Sequence, residues 1–108
     1  MKGTIAFSGL RPKHTVERTM ASELERWISR EIAPTDGEPP SYSIHVTGEG
    51  DLPFYYCRVE VVIGGCRWLA NEAGKSPLSA LANTLKKMRV RGGVSPRAAQ
   101  VRAHAVVA

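Results

Sequence analysis

The stretch from Ser76 to Arg91 decides the fold, and it runs Ser-Pro-Leu-Ser-Ala-Leu-Ala-Asn-Thr-Leu-Lys-Lys-Met-Arg-Val-Arg. Its first residues predict the start of a helix, with Ser76 as the N-cap and Pro77 at the first helical position, where proline is tolerated. Apolar residues then recur at spacings of three and four, which indicates one buried helical stripe. That stripe comprises Leu78, Leu81, Leu85 and Met88.

The end of this helix is strongly basic, with Lys86, Lys87, Arg89 and Arg91 in close succession. Cations near a helix C-terminus complement the macrodipole, but four of them exceed what a helix end requires. The formal charge of the chain is +5, and residues 84–108 contain six cations and no acid, whereas residues 1–83 contain nine cations and ten acids. This asymmetry indicates a polyanionic partner, nucleic acid rather than a membrane surface.

The size and composition of the chain predict one domain. Its 108 residues suffice for a single modest core. No apolar run reaches membrane-spanning length and no signal peptide is recognisable, so we expect a cytoplasmic protein without a membrane partner. The two cysteines make no disulfide framework, and we expect free buried thiols. We predict a folded domain over residues 1–91 and a flexible basic C-terminal tail over residues 92–108, which begins at Gly92-Gly93.

The first half of the chain predicts a strand followed by a helix. A strand pattern over Thr4–Leu10 precedes a long amphipathic pattern over Thr15–Ala33, with Thr15 as its predicted N-cap. The predicted core side of this helix comprises Val16, Met20, Leu24, Trp27, Ile28 and Ile32. The predicted outer side comprises Arg18, Glu23, Glu25, Arg26, Arg30 and Glu31. A mixed-sign face is typical of a solvated surface, but Arg26 and Arg30 are also candidate nucleic-acid contacts.

The centre of the chain predicts a strand over Ser41–Thr47 and then a hairpin over Phe54–Ala73. Gly64-Gly65 is a two-residue turn signal. The predicted pairs are Ile63 with Cys66, Val61 with Trp68, and Val59 with Ala70. All of them are apolar or small, so they share a face that the helices cover together with Cys57. The opposite face is mostly polar and is predicted to meet solvent or a ligand; it comprises Arg58, Glu60, Val62, Arg67, Leu69 and Asn71.

The predicted order of elements is therefore β-α-β-β-β-α. Two amphipathic helices and a sheet with one apolar face predict an α+β fold. We expect a two-layer sandwich with a mostly antiparallel four-stranded sheet and both helices on one of its faces.

No pattern in the sequence indicates catalysis. His45, Cys57 and Cys66 lack the close-spaced ligand pairs of a zinc site, and Cys57 is predicted to be buried without a base. Gly74-Lys75-Ser76 is similar to the end of a phosphate-binding loop, but Leu69 stands where that motif needs its first glycine. We therefore expect no enzyme, no cofactor, no metal and no small-molecule substrate.

The features left to indicate a function are the charge and the shape of the predicted surface. Lys75 before the last helix, like the cations at its end, can bind phosphates without reading base sequence. Phe54 and Tyr56 are the candidates for stacking on bases, and we interpret both as packing residues or loop anchors. A sheet without surface aromatics favours shape-based binding to structured RNA over stacking on single strands.

The whole of Thr4–Arg91 resembles the short hibernation-promoting factor / ribosome-associated inhibitor family, also called sigma-54 modulation proteins or protein Y. The similar features are the opening Ile-Ala-Phe-Ser-Gly-Leu before a long amphipathic helix, a hairpin with Gly-Gly at its tip and an Ala-Asn-Glu-Ala exit, and the Leu-x-x-x-Leu-Lys-Lys ending of the last helix. The family usually enters that helix through an acidic-Met-Tyr segment, whereas Gly74-Lys75-Ser76-Pro77 stands here.

The resemblance implies a hibernation factor and not an enzyme. Members of this family bind the small ribosomal subunit where messenger RNA and transfer RNA anticodons sit. They contact 16S ribosomal RNA with basic residues of both helices and silence translation in stress or stationary phase. The resemblance implies this role for Lys86 and Lys87 and, less directly, for Arg89 and Arg91. The full set of candidate RNA-binding residues is Lys86, Lys87, Arg89, Arg91, Lys75, Arg26 and Arg30.

Two other classes stay open at this point, as does self-association. A double-stranded RNA-binding domain has the order α-β-β-β-α, and Gly74-Lys75-Ser76 before an Ala-rich helix is similar to its phosphate-binding corner. The extra N-terminal strand and a basic cluster at the other end of the last helix disfavour it. A protein-interaction module with incidental basicity is the third hypothesis, and strong salt dependence of RNA binding would separate it from the other two.

Overall fold

The computed structural model describes residues 1–32, 39–49, 52–63 and 66–90, without the side chains of Cys66, Arg89 and Val90. The elements are β1 (Lys2–Ser8), α1 (His14–Glu31), β2 (Ser41–Gly48), β3 (Tyr55–Ile63), β4 (Cys66–Gly74) and α2 (Pro77–Val90). The predicted order is confirmed. The predicted Gly64-Gly65 turn, Arg91 and the 92–108 tail lie outside the described residues.

The four strands form one sheet in the order β1-β2-β3-β4. β1 runs parallel to β2, with α1 as the crossover between them, whereas β2–β3 and β3–β4 are antiparallel. The predicted hairpin register is confirmed. Its Cα partners include Ile63 with Cys66, Val61 with Trp68, and Val59 with Ala70. The sheet is mixed and mostly antiparallel, so the α+β fold class is also confirmed.

Both helices cover the same face of the sheet, and one hydrophobic cluster joins the two layers. Its largest fully buried side chains are Met20, Leu24, Ile28, Ile44, Leu81, Val46, Val59 and Val61. Each such aliphatic side chain contributes roughly 1.5–3 kcal/mol when it leaves water. Within the described residues nothing covers the opposite face of the sheet, whose side chains are exposed or half-buried. Neither described helix is long and apolar enough to cross a membrane.

α1 differs from its prediction at both ends. Its N-cap is Lys13, which makes no side-chain cap hydrogen bond, and Thr15 lies inside the first turn, so the predicted cap was wrong. Glu31 was predicted on the outer side and is only 9% exposed. It follows Trp27 by four residues and Ile28 by three, which places it at the end of the core stripe. The carboxylate there accepts a hydrogen bond from Arg30 Nε at 3.3 Å.

The start of α2 is capped as predicted. Ser76 Oγ accepts a hydrogen bond from the Ser79 backbone N–H at 3.1 Å, and Ser79 Oγ accepts one from the Ser76 backbone N–H at 2.9 Å. This reciprocal pair satisfies two donors, with serine where a capping box usually has glutamate. The apolar stripe was predicted wrongly at Leu78, which is 38% exposed. The core side of α2 instead comprises Ala80, Leu81, Thr84, Leu85 and Met88.

The position of α2 depends on a close approach to the end of β4. A Cβ atom on Gly74 would collide with the backbone nitrogen of Ala80 and lie 2.7 Å from its Cα atom. Only glycine leaves room for this contact. The close packing of β4 against α2 thus explains why position 74 is a glycine. A second link between α2 and the sheet is Thr84, whose buried hydroxyl donates to the Ala80 carbonyl at 2.7 Å and lies 3.3 Å from the Cys57 carbonyl.

Candidate nucleic-acid interface

A groove that is open to solvent runs between α1 and α2. Residues spaced three and four apart on each helix line it, because such residues share one side of a helix. They are Thr19, Glu23, Trp27 and Arg30 of α1, and Leu78, Leu81, Ala82, Leu85 and Lys86 of α2. The buried Trp27, Leu81 and Leu85 form an apolar floor, and the charged side chains are exposed.

The groove brings together two predicted RNA-binding residues, Arg30 and Lys86, from different helices. Arg30 Nε donates a hydrogen bond to Glu31. The Arg30 side chain is nevertheless 61% exposed, so the rest of the guanidinium faces solvent. Lys86 is exposed and has no ion pair among the described residues. The groove's acid, Glu23, pairs with Arg26 at 3.3 Å. The charged side chains at this surface therefore sum to a positive charge that suits a polyanion.

The other predicted cations lie outside this groove. Arg26 is beside it through its exposed pair with Glu23, and such surface pairs contribute well under about 1 kcal/mol, which leaves Arg26 available to a ligand. Lys75 is exposed in the turn before α2 and does not line the groove. Arg89 belongs to α2 without a described side chain, and Arg91 lies outside the described residues.

Lys87 lies on a different surface from Lys86. Its Nζ is 3.6 Å from Glu72 Oε2, at the edge of the sheet. It also lines a shallow depression with strand residues, which include His45, Thr47, Tyr56, Arg58 and Asn71. Successive helical residues are turned by about 100°, so two adjacent lysines need not share a surface. The sequence placed both lysines in one basic end, and the structure separates them.

The one described cysteine side chain is unsuited to catalysis. Cys57 is fully buried, and burial raises the pKa of its thiol to about 11, against the opposing effect of a hydrogen bond with Thr84. A protonated, inaccessible thiol is a poor nucleophile. Among the described residues, no group of three or more His, Cys, Asp or Glu side chains is placed to hold a metal ion.

Tyr42 joins three elements of the fold beneath this interface. Its ring occupies the space that a side chain on Gly3 of β1 would need. Its hydroxyl donates to Glu25 Oε1 of α1 at 3.4 Å. Burial raises the pKa of the phenol, and the neighbouring Glu25 carboxylate raises it further.

Sequence reasoning missed the apolar part of the groove. Periodicity assigned both Trp27 and Leu78 to the core, and only Trp27 belongs there. Leu78 is turned toward α1 and lines the groove instead. The one signal available was its place in the first turn of α2. The sequence placed Arg58 on the polar sheet face but did not bring it together with Tyr56 and His45, beside which it is exposed.

The observed molecule is a two-layer β-α-β-β-β-α sandwich with a positively charged groove between its helices. No protein-family model matches the chain, and no curated protein matches its sequence.

Two solved structures share the fold. The crystal structure of the Thermus thermophilus protein Y N-terminal domain aligns with a TM-score of 0.65 at 15% identity, over 82% of this chain and 91% of that chain. A ribosomal subunit interface protein from Coxiella burnetii aligns with a TM-score of 0.66 at 13% identity, over 95% of this chain and 99% of that chain. At these identities the likeness establishes the fold, and it confirms the fold that the sequence resemblance implied.

Proposed function

We propose that this chain is a ribosome-associated translation inhibitor of the hibernation-promoting factor family, active in stress or stationary phase. Two of the proteins with the same fold are named protein Y and a ribosomal subunit interface protein, which supports a ribosomal partner. The observation that carries the proposal is the groove lined by Arg30 of α1 and Lys86 of α2. Cations from both helices thereby form one surface for a polyanion.

In this proposal the helix side of the protein binds 16S ribosomal RNA in the messenger RNA and transfer RNA channel of the small subunit. Arg30 supplies a planar fork that can bind a phosphate through two N–H groups, and Lys86 supplies a compact point charge. The buried floor of the groove fixes the spacing of the two helices before binding, which lowers the entropic cost of association. Inhibition follows from occupancy of the channel and requires no chemical step.

Ribosome sedimentation is the decisive test. We expect the protein to co-sediment with small subunits at low salt, to leave them as salt is raised, and to inhibit translation in a cell-free system. The logarithm of its binding constant should fall linearly with the logarithm of salt concentration, because phosphate contacts release counterions. Protein that stays at the top of the gradient at low salt would refute the proposal.

The double variant Lys86→Glu with Lys87→Glu tests whether α2 provides the contact. We expect it to lose binding to the small subunit while it keeps the thermal unfolding midpoint of the wild type, because both side chains are exposed. Lys2→Glu with Arg11→Glu is a matched control, since it makes the same change in net charge outside both helices. Full binding by the α2 variant would remove this part of the helix from the interface.

A double-stranded RNA-binding domain is the second candidate, and the exposed Lys75 before α2 is the observation in its favour. The observed β1, paired in parallel with β2, has no counterpart in the α-β-β-β-α order. Plain duplex RNA as a competitor separates the two candidates: it should displace the protein poorly from isolated small subunits if the first is right. An RNA-binding constant that does not depend on salt concentration would instead favour a protein-interaction module.

A further inference from the structure

The outer face of the sheet, which no helix covers, has a polar row across its strands. His45 of β2 is the register partner of Arg58 in β3, and Arg58 is the partner of Asn71 in β4. The next row places Tyr56 between Thr47 and Ala73. Directly opposed side chains on one face of an antiparallel pair lie close together, with Cβ atoms about 4.5–5.5 Å apart. These residues therefore form one surface, the depression that Lys87 also lines.

Tyr56 is exposed in this surface, although the sequence suggested a packing residue or a loop anchor. The residue is 48% exposed, and its two row neighbours are the small Thr47 and Ala73. The ring has no large side chain opposite it on either neighbouring strand. An aromatic ring left open in this way offers a stacking surface.

The charges around Tyr56 favour an anion. Glu60 pairs with Arg67 at 2.9 Å, and Glu72 pairs with Lys87 at 3.6 Å. Arg58 is exposed and has no ion pair among the described residues.

The ring of His45 is also fixed in this surface, because its Nε2 lies 2.9 Å from Ser8 Oγ. Because Glu72 pairs with Lys87, the guanidinium of Arg58 is left as an uncompensated positive charge next to the exposed ring of Tyr56.

We propose that this depression binds one nucleotide of single-stranded RNA. The base stacks on Tyr56, Arg58 binds the adjoining phosphate, and Asn71 donates a hydrogen bond from its side-chain amide. An acidic peptide would satisfy Arg58 but would leave the open ring without a partner, whereas a nucleotide matches both groups. The site lies on the opposite side of the sheet from the helices, so it is separate from the groove and does not depend on it.

Binding of short RNA by the full chain tests the site. The probes are a labelled octa-adenosine RNA and an abasic ribose-phosphate octamer of the same length and charge, each measured by fluorescence anisotropy. We expect the wild type to prefer the RNA by about tenfold, the effect of one stacked base. Tyr56→Ala should abolish this preference, and Tyr56→Phe, which keeps the ring, should retain it.

A second pair of variants tests the phosphate contact. Arg58→Ala should reduce the salt dependence of octa-adenosine binding by about one unit of slope. Arg67→Ala is the matched control, because it removes an arginine on the same face that already pairs with Glu60, and we expect its slope to be unchanged.

Several outcomes would overturn the proposal. They are no binding of octa-adenosine by the wild type, equal binding of the abasic octamer, and equal binding by Tyr56→Ala and Tyr56→Phe. An octa-aspartate peptide that displaces labelled RNA as effectively as unlabelled RNA does would also overturn it. The depression would then be a surface that binds anions in general. Failure of the ribosomal role is distinguishable: the wild type would then not sediment with small subunits, yet the difference between Tyr56→Ala and Tyr56→Phe would persist.

Discussion

The helix groove and the depression on the outer sheet face are assembled in different ways. The groove joins Arg30 and Lys86, which belong to helices separated in the chain by three strands. The depression joins Arg58 to its register partners in β2 and β4. Strand register therefore determines the second surface, whereas the packing of two helices determines the first. A cluster of cations along the sequence is for this reason a poor guide to a cluster in space, as the separation of Lys86 from Lys87 demonstrates.

Charge reversal in the groove should have the largest effect. We expect Arg30→Glu with Lys86→Glu to weaken binding to small ribosomal subunits by about 100-fold, or about 2.7 kcal/mol, because both changes put repulsion where phosphates would bind. Lys87→Glu should weaken it only a few-fold, since Lys87 lies on the other surface and already pairs with Glu72. Sedimentation over a salt series measures both. Equal losses from the double variant and from Lys87→Glu would show that the two surfaces act as one.

Gly74→Ala should have the next largest effect, through the placement of α2. The added Cβ must push the first turn of α2 away from β4, which should lower the free energy of unfolding by about 2 kcal/mol and weaken subunit binding. Octa-adenosine binding should change less than subunit binding, because Tyr56 and Arg58 lie in β3, whose register with β2 remains. Urea unfolding and the two binding assays measure these effects.

Gly48→Ala is the matched control for this change. Its Cβ would meet the flexible side chain of Leu10, at 3.2 Å, and no helix backbone. A Gly74→Ala protein as stable as the Gly48→Ala protein would contradict the role given to the close approach of α2.

The smallest of the expected effects is a loss of unfolding free energy at alkaline pH, which depends on the burial of Cys57 between the two layers. Cys57 lies at the layer boundary beneath Thr84, and burial raises its pKa from 9.0 to about 11. The unfolded thiol therefore loses its proton first as the pH rises. Stability from this group is fully present below about pH 8 and is lost between about pH 9 and 11, a loss on the order of 1 kcal/mol.

Urea unfolding at pH 7.5 and pH 10 measures this loss, with Cys57→Ala as the control. We expect the wild type to lose more stability than the variant between the two pH values. Tyr42, whose pKa is also raised, contributes equally to both proteins. Parallel losses in wild type and variant would show that the Cys57 thiol is ionised as easily in the folded chain as in the unfolded one.

The sequence by itself determined the order of elements, the hairpin register and the Ser76 cap. Each depends on residues that are close together along the chain: the alternation of a strand, a turn signal, or a hydroxyl three residues from the N–H it caps. The same local signals failed at Thr15, because Lys13 is the N-cap of that helix. They also failed at Leu78, where the helical period was correct but the side chain is exposed and does not belong to the core.

Only the tertiary structure decided which cations share a surface. The angle at which each helix lies on the sheet turns Lys86 toward α1 and Lys87 toward the sheet edge. That angle follows from contacts between distant residues, such as Gly74 against Ala80 and the buried residues of both helices in one core. Such contacts leave no local pattern, because they depend on the shapes of two elements at once. The helix Pro77–Val90 was therefore predictable, and the division of Lys86 and Lys87 between two surfaces was not.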